Sequence, residues 1–230
     1  MLEYAIGGGM MMKVLIACEE SQEVCKAFRA KGHEAYSADI QNPSGGHPEW
    51  HILGDVLPII DGDCKFTTMD GTEHEIVGEW DLLIAHPPCT YLSNAGARWL
   101  YKGGKLNKER YEKGIKAKKF FEKFLNARCK KIVIENPIPS SIFNLPKYTQ
   151  IIQPYEHGHP YSKKTCLWLK GLPLLKPTQI IENHIPFVSS GSYSKEHDPK
   201  YKGTSRKGGA AKSRAKTFSG IAKALSEQYG

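Results

Sequence analysis

A cysteine and a glutamate in this sequence each follow a short apolar run, and each lies beside proline. The run at 81–85 leads into Pro87-Pro88-Cys89, and the run at 131–134 leads into Glu135-Asn136-Pro137. Because neighbouring parallel strands end at one edge of a sheet, Cys89 and Glu135 are expected to face one site. This pairing predicts a thiol that adds covalently to a substrate and an acid that supplies a proton.

The elements that must hold these residues alternate between strands and helices. We expect Ser21 to be the N-cap of the first helix. The predicted strands lie at 13–17, 33–38, 81–85, 131–134 and 165–169, and the predicted helices at 21–31, 107–128 and 215–229. This alternation is typical of parallel sheets. The expected fold is therefore α/β, a doubly wound Rossmann-like sheet with a short irregular C-terminal annex.

The length of 230 residues suits one domain with a small addition. We expect 1–12 to be a disordered leader, with translation starting at Met10, Met11 or Met12. Residues 13–171 are expected to form the catalytic domain, and 172–230 a small basic segment that packs back on it. No apolar run approaches the roughly 18 residues that span a bilayer, and no signal peptide is evident. A cytosolic protein without a membrane partner is expected.

Six cysteines are scattered along the chain without a close Cys-x-x-Cys pair. This spacing argues against a zinc site and against a disulfide framework, so no metal is expected. Most of these residues are expected to be small buried apolar groups. Only Cys89 has a context that suggests chemistry.

The chain is basic, with a net charge of +8 and a pI of about 9.1. Residues 102–131 hold twelve Lys and Arg against three Glu, and 195–216 hold eight against two acids. Such clusters favour a polyanionic partner such as nucleic acid. A solvated helix face and a solvated tail explain the same pattern equally well.

Polar residues also follow the first strands, where sheets of this kind bind ligands. Asp39 is placed to accept from ribose hydroxyls, and Asp55 either accepts from an adenine amino group or only forms a turn. Glu19 and Glu20 suit a positive centre, and the helix start at Ser21 suits a carboxylate. S-adenosylmethionine combines all four of these groups, and it is the cofactor that this set predicts.

In the order of its motifs, the chain resembles the cytosine carbon-5 DNA methyltransferases over residues 13–171. Pro88-Cys89 looks like the Pro-Cys loop of that family, and Glu135-Asn136-Pro137 looks like its Glu-Asn motif. Gly54-Asp55-Val56 is similar to its third cofactor motif, and 157–171 to its arginine-containing motif before a strand. The short, phage-encoded branch is the most similar.

The resemblance implies an S-adenosylmethionine-dependent methyltransferase that acts on DNA, in the host cytoplasm if phage-encoded. It implies catalytic roles for Cys89, Glu135 and Lys163. The implied cofactor-binding residues are Ala17, Cys18, Glu19, Glu20, Ser21, Asp39, Ile40, Asp55 and Pro87. The implied substrate-binding residues are Pro88, Asn136, Pro137 and Thr165.

The implied reaction begins with addition of the Cys89 thiolate to carbon 6 of cytosine, which makes carbon 5 nucleophilic. Glu135 is expected to protonate N3, with burial raising its pKa enough to hold a proton near neutrality. Lys163 is expected to lower the pKa of the thiol or to hold phosphate. His86 is expected to be a packing or supporting group, and Trp99 to be structural.

Three departures from the family leave other functions open. The usual glycine-rich cofactor loop is replaced by 17–21, and the paired arginines become Lys163 and Thr165. About sixty residues follow Gly171, too few for the usual target-recognition region, so low sequence selectivity is expected. One alternative is an enzyme that adds a different group or modifies a nucleotide. The other is a basic nucleic-acid-binding module without catalysis.

Overall fold

The computed structural model describes residues 10–187 and 215–230. A seven-stranded sheet forms its centre, and shorter two-stranded sheets lie beside it. In chain order the strands are β1 (Lys13–Ala17), β2 (Glu34–Asp39), β3 (His51–Leu53), β4 (Cys64–Thr67), β5 (Glu73–Ile76), β6 (Leu82–Ala85), β7 (Tyr101–Lys102), β8 (Lys105–Leu106), β9 (Ile132–Pro137), β10 (Gln150–Ile152), β11 (Tyr161–Ser162), β12 (Thr165–Lys170) and β13 (Ile185–Pro186). The α-helices are α1 (Glu23–Ala30), α2 (Asn94–Ala97), α3 (Lys108–Leu125) and α4 (Ser219–Tyr229).

The central sheet has the strand order β10-β12-β9-β6-β1-β2-β3. Five strands, from β9 to β3, are parallel. Strand β12 runs antiparallel to both of its neighbours. Helix α1 connects β1 to β2, and α3 connects β6 to β9, as parallel pairs require. The α/β prediction is confirmed and a Rossmann-like fold is compatible with this order, but the sheet is mixed rather than wholly parallel.

Helices cover both faces of the sheet. Successive side chains of a strand point to opposite faces, so each strand contributes to two cores. On one face Leu15 belongs to the same core as Phe121 of α3. On the other face Ile16 shares a core with Phe28 of α1 and Leu225 of α4. Burial of each such side chain contributes roughly 1.5–3 kcal/mol. The two cores therefore hold the strand ends in fixed relative positions.

Helix α1 begins two residues later than expected, and its N-cap is Gln22 rather than Ser21. Gln22 has a left-handed backbone, with φ 58°, and its side chain does not cap the helix. The carboxylate of Glu19 accepts instead from the backbone N–H of Val24 at 2.6 Å and of Cys25 at 3.2 Å. The prediction for Ser21 is wrong because the chain turns at Gln22 and Glu19 supplies the acceptor.

The C-terminal residues are attached to the sheet by packing and by strand pairing. Helix α4 packs against α1 and adds Ile221 and Leu225 to their common core. Strand β13 pairs with β11. The predicted leader up to residue 9, and the basic stretch at 195–216 up to residue 214, lie outside the described residues. In the described ranges, every helix is too short or too polar to cross a membrane.

Candidate functional site

The two predicted motifs lie side by side because β6 and β9 are hydrogen-bonded neighbours. The side-chain amide of Asn136 donates a hydrogen bond to the carbonyl oxygen of Pro87 at 2.7 Å. Asn136 is almost completely buried. This bond joins the loop that carries Cys89 to the strand end that carries Glu135.

The loop after β6 also folds back against the segment that follows β9. The carbonyl of Cys89 accepts from the backbone N–H of Leu92 at 3.2 Å, which starts a helical turn. The carbonyl of Leu92 in turn accepts from the N–H of Ser140 at 2.7 Å. Cys89 therefore lies between two points, Pro87 and Leu92, that are both bonded to the β9 side. Cys89 is half-buried and Pro88 is exposed, so the loop is partly open to a ligand.

His86 and Glu135 form a buried ion pair beside these bonds. Nδ1 of His86 lies 3.1 Å from Oε2 of Glu135, and the two side chains are 9% and 18% exposed. Burial lowers the pKa of His86, but the hydrogen bond and charge of Glu135 outweigh it and raise that pKa overall. Burial likewise raises the pKa of Glu135, but His86 and the charge of Lys163 lower it overall.

These directions overturn the expected protonation of Glu135. The sequence suggested that burial would raise its pKa, whereas its cationic partners hold the carboxyl ionised. The same pairing raises the pKa of His86, which is thus an ionisable partner of Glu135 rather than only a packing group. Nε2 of His86 is buried and has no hydrogen-bond partner in the described structure.

Thr165 of β12 and Lys163 just before that strand approach Glu135, because β12 pairs with β9 so that Thr165 lies opposite Pro137. Glu135, Lys163 and Thr165 line one small cleft. The hydroxyl of Thr165 donates to the carbonyl of Lys163 at 3.2 Å. Cys89 lies on the adjoining loop and is not among the described residues that line the cleft.

The opposite wall of the cleft comes from C-terminal residues that the sequence did not single out. Thr217 and Phe218 line it, together with Ala215 and Ile221. The ammonium of Lys163 lies 5.8 Å from the centre of the Phe218 ring, within cation–π range. The one sequence signal was an aromatic residue in the first turn of the helix predicted at 215–229, which is too common to indicate a site.

The expected cofactor residues fall into two groups. The first lies at the ends of β1, β2 and β3 and comprises Cys18, Asp39, Ile40 and Asp55. Burial, with the charges of Asp39 and then Asp55, raises the pKa of Cys18 to about 12. Both carboxylates are therefore near this thiol. Ile40 is 78% exposed next to Asp39. Oδ1 of Asp55 accepts from the N–H of Leu57 at 3.0 Å, so the alternative role in a turn is present.

The second group, which comprises Ala17, Glu19, Ser21 and Pro87, is buried. Burial raises the pKa of Glu19 to about 7, against the lowering effects of the His86 charge and of two backbone N–H groups. The carbonyl of Glu20, which is half-buried, accepts from the N–H of Ser44 at 2.8 Å. These residues shape and support the first strand–helix turn.

No group of three His, Cys, Asp or Glu side chains in the described ranges is arranged to hold a metal ion. No protein-family model matches the chain, and no curated protein matches it. Function is therefore inferred from the geometry and charges of the site itself.

Proposed function

We propose that this protein transfers a methyl group from S-adenosylmethionine to carbon 5 of cytosine in DNA, through a covalent adduct with Cys89. One observation carries this proposal. The Pro87-Pro88-Cys89 loop and the Glu135-Asn136-Pro137 strand end are bonded to each other through Asn136 and the carbonyl of Pro87. A thiol and a carboxylate with cationic neighbours, at one sheet edge, are what cytosine carbon-5 chemistry needs.

The residues at the outward edge of β1, β2 and β3 fit the adenosine part of the cofactor. Asp39 would accept from the ribose hydroxyls, exposed Ile40 would contact the adenine, and Asp55 would accept from the adenine amino group. When bound, the cofactor supplies an electrophilic methyl group. Charges of both acids act on Cys18, which supports placing them along one ligand.

In the proposed reaction the Cys89 thiolate forms a bond to carbon 6 of cytosine. The electrons of the 5,6 double bond are displaced towards N3, which takes a proton from Glu135. Glu135 is ionised at the start, so it first accepts the proton that Nδ1 of His86 donates. Carbon 5 would then form a bond to the methyl group, whose bond to the sulfonium sulfur breaks and leaves a neutral thioether. Loss of the carbon-5 proton to a base restores the 5,6 double bond and expels the thiolate, and N3 returns its proton to Glu135.

Lys163 supports this sequence electrostatically. Its charge lowers the pKa of Glu135 and also disfavours the charged form of His86. The first effect holds Glu135 ionised, and the second favours release of the His86 proton. Asn136 holds the carbonyl of Pro87 in the Cys89 loop, and the hydroxyl of Thr165 holds the carbonyl of Lys163.

A polymer substrate fits the distribution of positive charge. Helix α3 runs antiparallel to the strands it connects, so its N-terminal half lies at the edge of the sheet that carries the site. Exposed Lys108 lies there, and Lys105 is exposed just before the helix. Exposed basic side chains of this kind are suited to contacts with phosphate groups. The target base must be flipped out of a duplex or be single-stranded, because the ring has to enter beside Glu135.

The proposal is tested by trapping the adduct on DNA that contains 5-fluorocytosine. A base cannot remove the fluorine from carbon 5 as it removes the proton, so the covalent adduct persists. We expect a denaturation-resistant complex in the presence of S-adenosylmethionine, and none for Cys89→Ser. Cys64→Ser is the matched control, since Cys64 is also half-buried but lies in the β4–β5 hairpin. Adduct formation that survives Cys89→Ser would exclude this nucleophile. Adduct formation on free 5-fluorodeoxycytidine monophosphate, but not on DNA, would assign the chemistry to a nucleotide.

A further inference from the structure

Large apolar side chains are exposed on the segment that follows the Cys89 loop. Trp99 is 60% exposed, Tyr101 54% and Leu106 42%. The sequence suggested that Trp99 is structural, but its ring lies largely in solvent. Tyr101 and Leu106 are directly paired across the short β7–β8 hairpin. All three residues belong to the segment 98–106, here called the aromatic hairpin.

The aromatic hairpin is fixed to the Cys89 loop rather than hanging from it. Buried Leu100 anchors its first arm, and the carbonyl of Leu100 accepts from the N–H of Asn107 at 2.7 Å, which closes the hairpin. The guanidinium of Arg110 donates to the carbonyls of Thr90 at 3.0 Å and Gly96 at 3.1 Å. One side chain of α3 thus holds both the loop after Cys89 and the start of the hairpin.

Positive charge surrounds these aromatic residues. The stretch 82–108 contains four Lys and Arg and no Asp or Glu. The guanidinium of Arg98 lies 5.0 Å from the centre of the Trp99 ring, and exposed Lys105 lies in β8, which pairs with the strand of Tyr101. Exposed Val77, by contrast, lies close in sequence to Glu75 and Glu79. An apolar surface within an acid-free basic stretch complements a chain of stacked bases and phosphates.

We propose that Trp99 and Tyr101 are a stacking platform for unpaired bases of single-stranded nucleic acid. The proposal rests on the proposed function, since it names the form of DNA that reaches the same site. Exposed aromatic rings bind bases through their π-faces, and interleaved cations hold the backbone, without sequence preference. Such a platform supplies affinity without sequence-specific contacts. Paired bases in a duplex are stacked on each other and do not offer their faces to these rings.

The test is a binding measurement that needs neither cofactor nor catalysis. Fluorescence anisotropy with a labelled single strand of about 12 nucleotides, and with the same sequence as a duplex, gives Kd for each variant. We expect Trp99→Ala and Tyr101→Ala each to weaken single-strand binding about 5- to 150-fold, the range for loss of one stacked base. Duplex binding changes much less. Trp99→Phe retains most of the affinity because it keeps a ring.

Ile180→Ala is the matched control, because Ile180 is also exposed but lies far along the chain from the hairpin. Circular dichroism verifies that each variant is folded, and a variant that is not folded is replaced by the corresponding Ser change. Unchanged single-strand affinity in both Ala variants overturns the platform. An equal loss of affinity for the duplex also overturns it. A change from dimer to monomer in sedimentation velocity on either Ala substitution overturns it as well, and would assign the surface to self-association.

The two proposals fail separately. If the wild type forms no adduct with 5-fluorocytosine DNA but the Ala variants lose single-strand affinity, methyl transfer fails and the platform stands. If the adduct forms and the variants bind like the wild type, the platform alone fails.

Discussion

Replacing His86 by glutamine tests the protonation state on which the proposed proton transfer depends. His86 and Glu135 are 3.1 Å apart and largely buried. Glutamine can still donate a hydrogen bond to Glu135, but it carries no charge. Burial then raises the pKa of Glu135 against the charge of Lys163 and an uncharged hydrogen bond alone. We therefore expect this pKa to be higher than in the wild type.

The stability cost follows from leaving one buried charge without its partner. Removing one member of a buried ion pair costs about 3–5 kcal/mol. We expect about 3 kcal/mol here, because 18% of the Glu135 side chain remains exposed and glutamine keeps a hydrogen bond. The free energy of unfolding from urea titrations measures this difference directly.

The cost must also depend on pH in a definite direction. The pKa of His86 is raised above 6.5, so its contribution is complete below 6.5 and is lost as the pH rises through its folded pKa. The pKa of Glu135 is lowered below 4.5, so its contribution is complete above 4.5 and is lost as the pH falls through its folded pKa. The free energy of unfolding of the wild type therefore exceeds that of His86→Gln most between pH 4.5 and pH 6.5. This difference in stability becomes smaller as the pH rises above that range.

Two measurements decide the matter. Carbon-13 NMR of labelled glutamate carboxyls locates the titration of Glu135 in both proteins, and urea unfolding at about pH 5.5 and about pH 9 compares their stabilities. His184→Gln, which removes a histidine far along the chain, is the control. An unchanged Glu135 titration, or a stability difference that is the same at both pH values, would refute the ion pair.

Two further predictions concern the proposed roles of single side chains. Glu135→Gln is expected to slow methyl transfer about 10²- to 10⁴-fold while leaving cofactor affinity unchanged, and a rate equal to the wild type in a radiolabel assay contradicts its role. Asp39→Ala is expected to weaken S-adenosylmethionine binding about 10- to 150-fold in calorimetry through loss of charge-assisted hydrogen bonds. Asp70→Ala, in the β4–β5 turn, serves as its control, and equal affinities would remove Asp39 from the cofactor site.

The apolar periodicity was sufficient to predict the main elements. Helix α3 and strands β1, β2, β6 and β9 lie within a few residues of their predicted positions. Their side-chain patterns are strong because both faces of the sheet are buried. Once β6 and β9 are predicted as parallel neighbours, Cys89 and Glu135 must follow at one edge. The shared location of the two motifs was therefore predictable.

The partners of individual groups were not predictable, because they depend on register and on distant segments. The contact between His86 and Glu135 requires a particular alignment of β6 with β9. Phe218 reaches the cleft only through the packing of α4 on α1, across a separation of about 190 residues along the chain. Antiparallel insertion of β12 likewise follows from tertiary packing, since strand direction leaves no local pattern in sequence.

Glu19 and Glu135 show why burial alone did not predict protonation. Both carboxyls are poorly solvated, and burial raises the pKa of each. Glu19 bonds to the neutral N–H groups of Val24 and Cys25, so burial prevails and its pKa rises to about 7. Glu135 has an imidazolium at 3.1 Å and a lysine charge nearby, so its pKa falls. Glu135, the acid beside the cleft, is thus the ionised one. In the proposed reaction Glu135 receives a proton from His86 and passes it directly to the base.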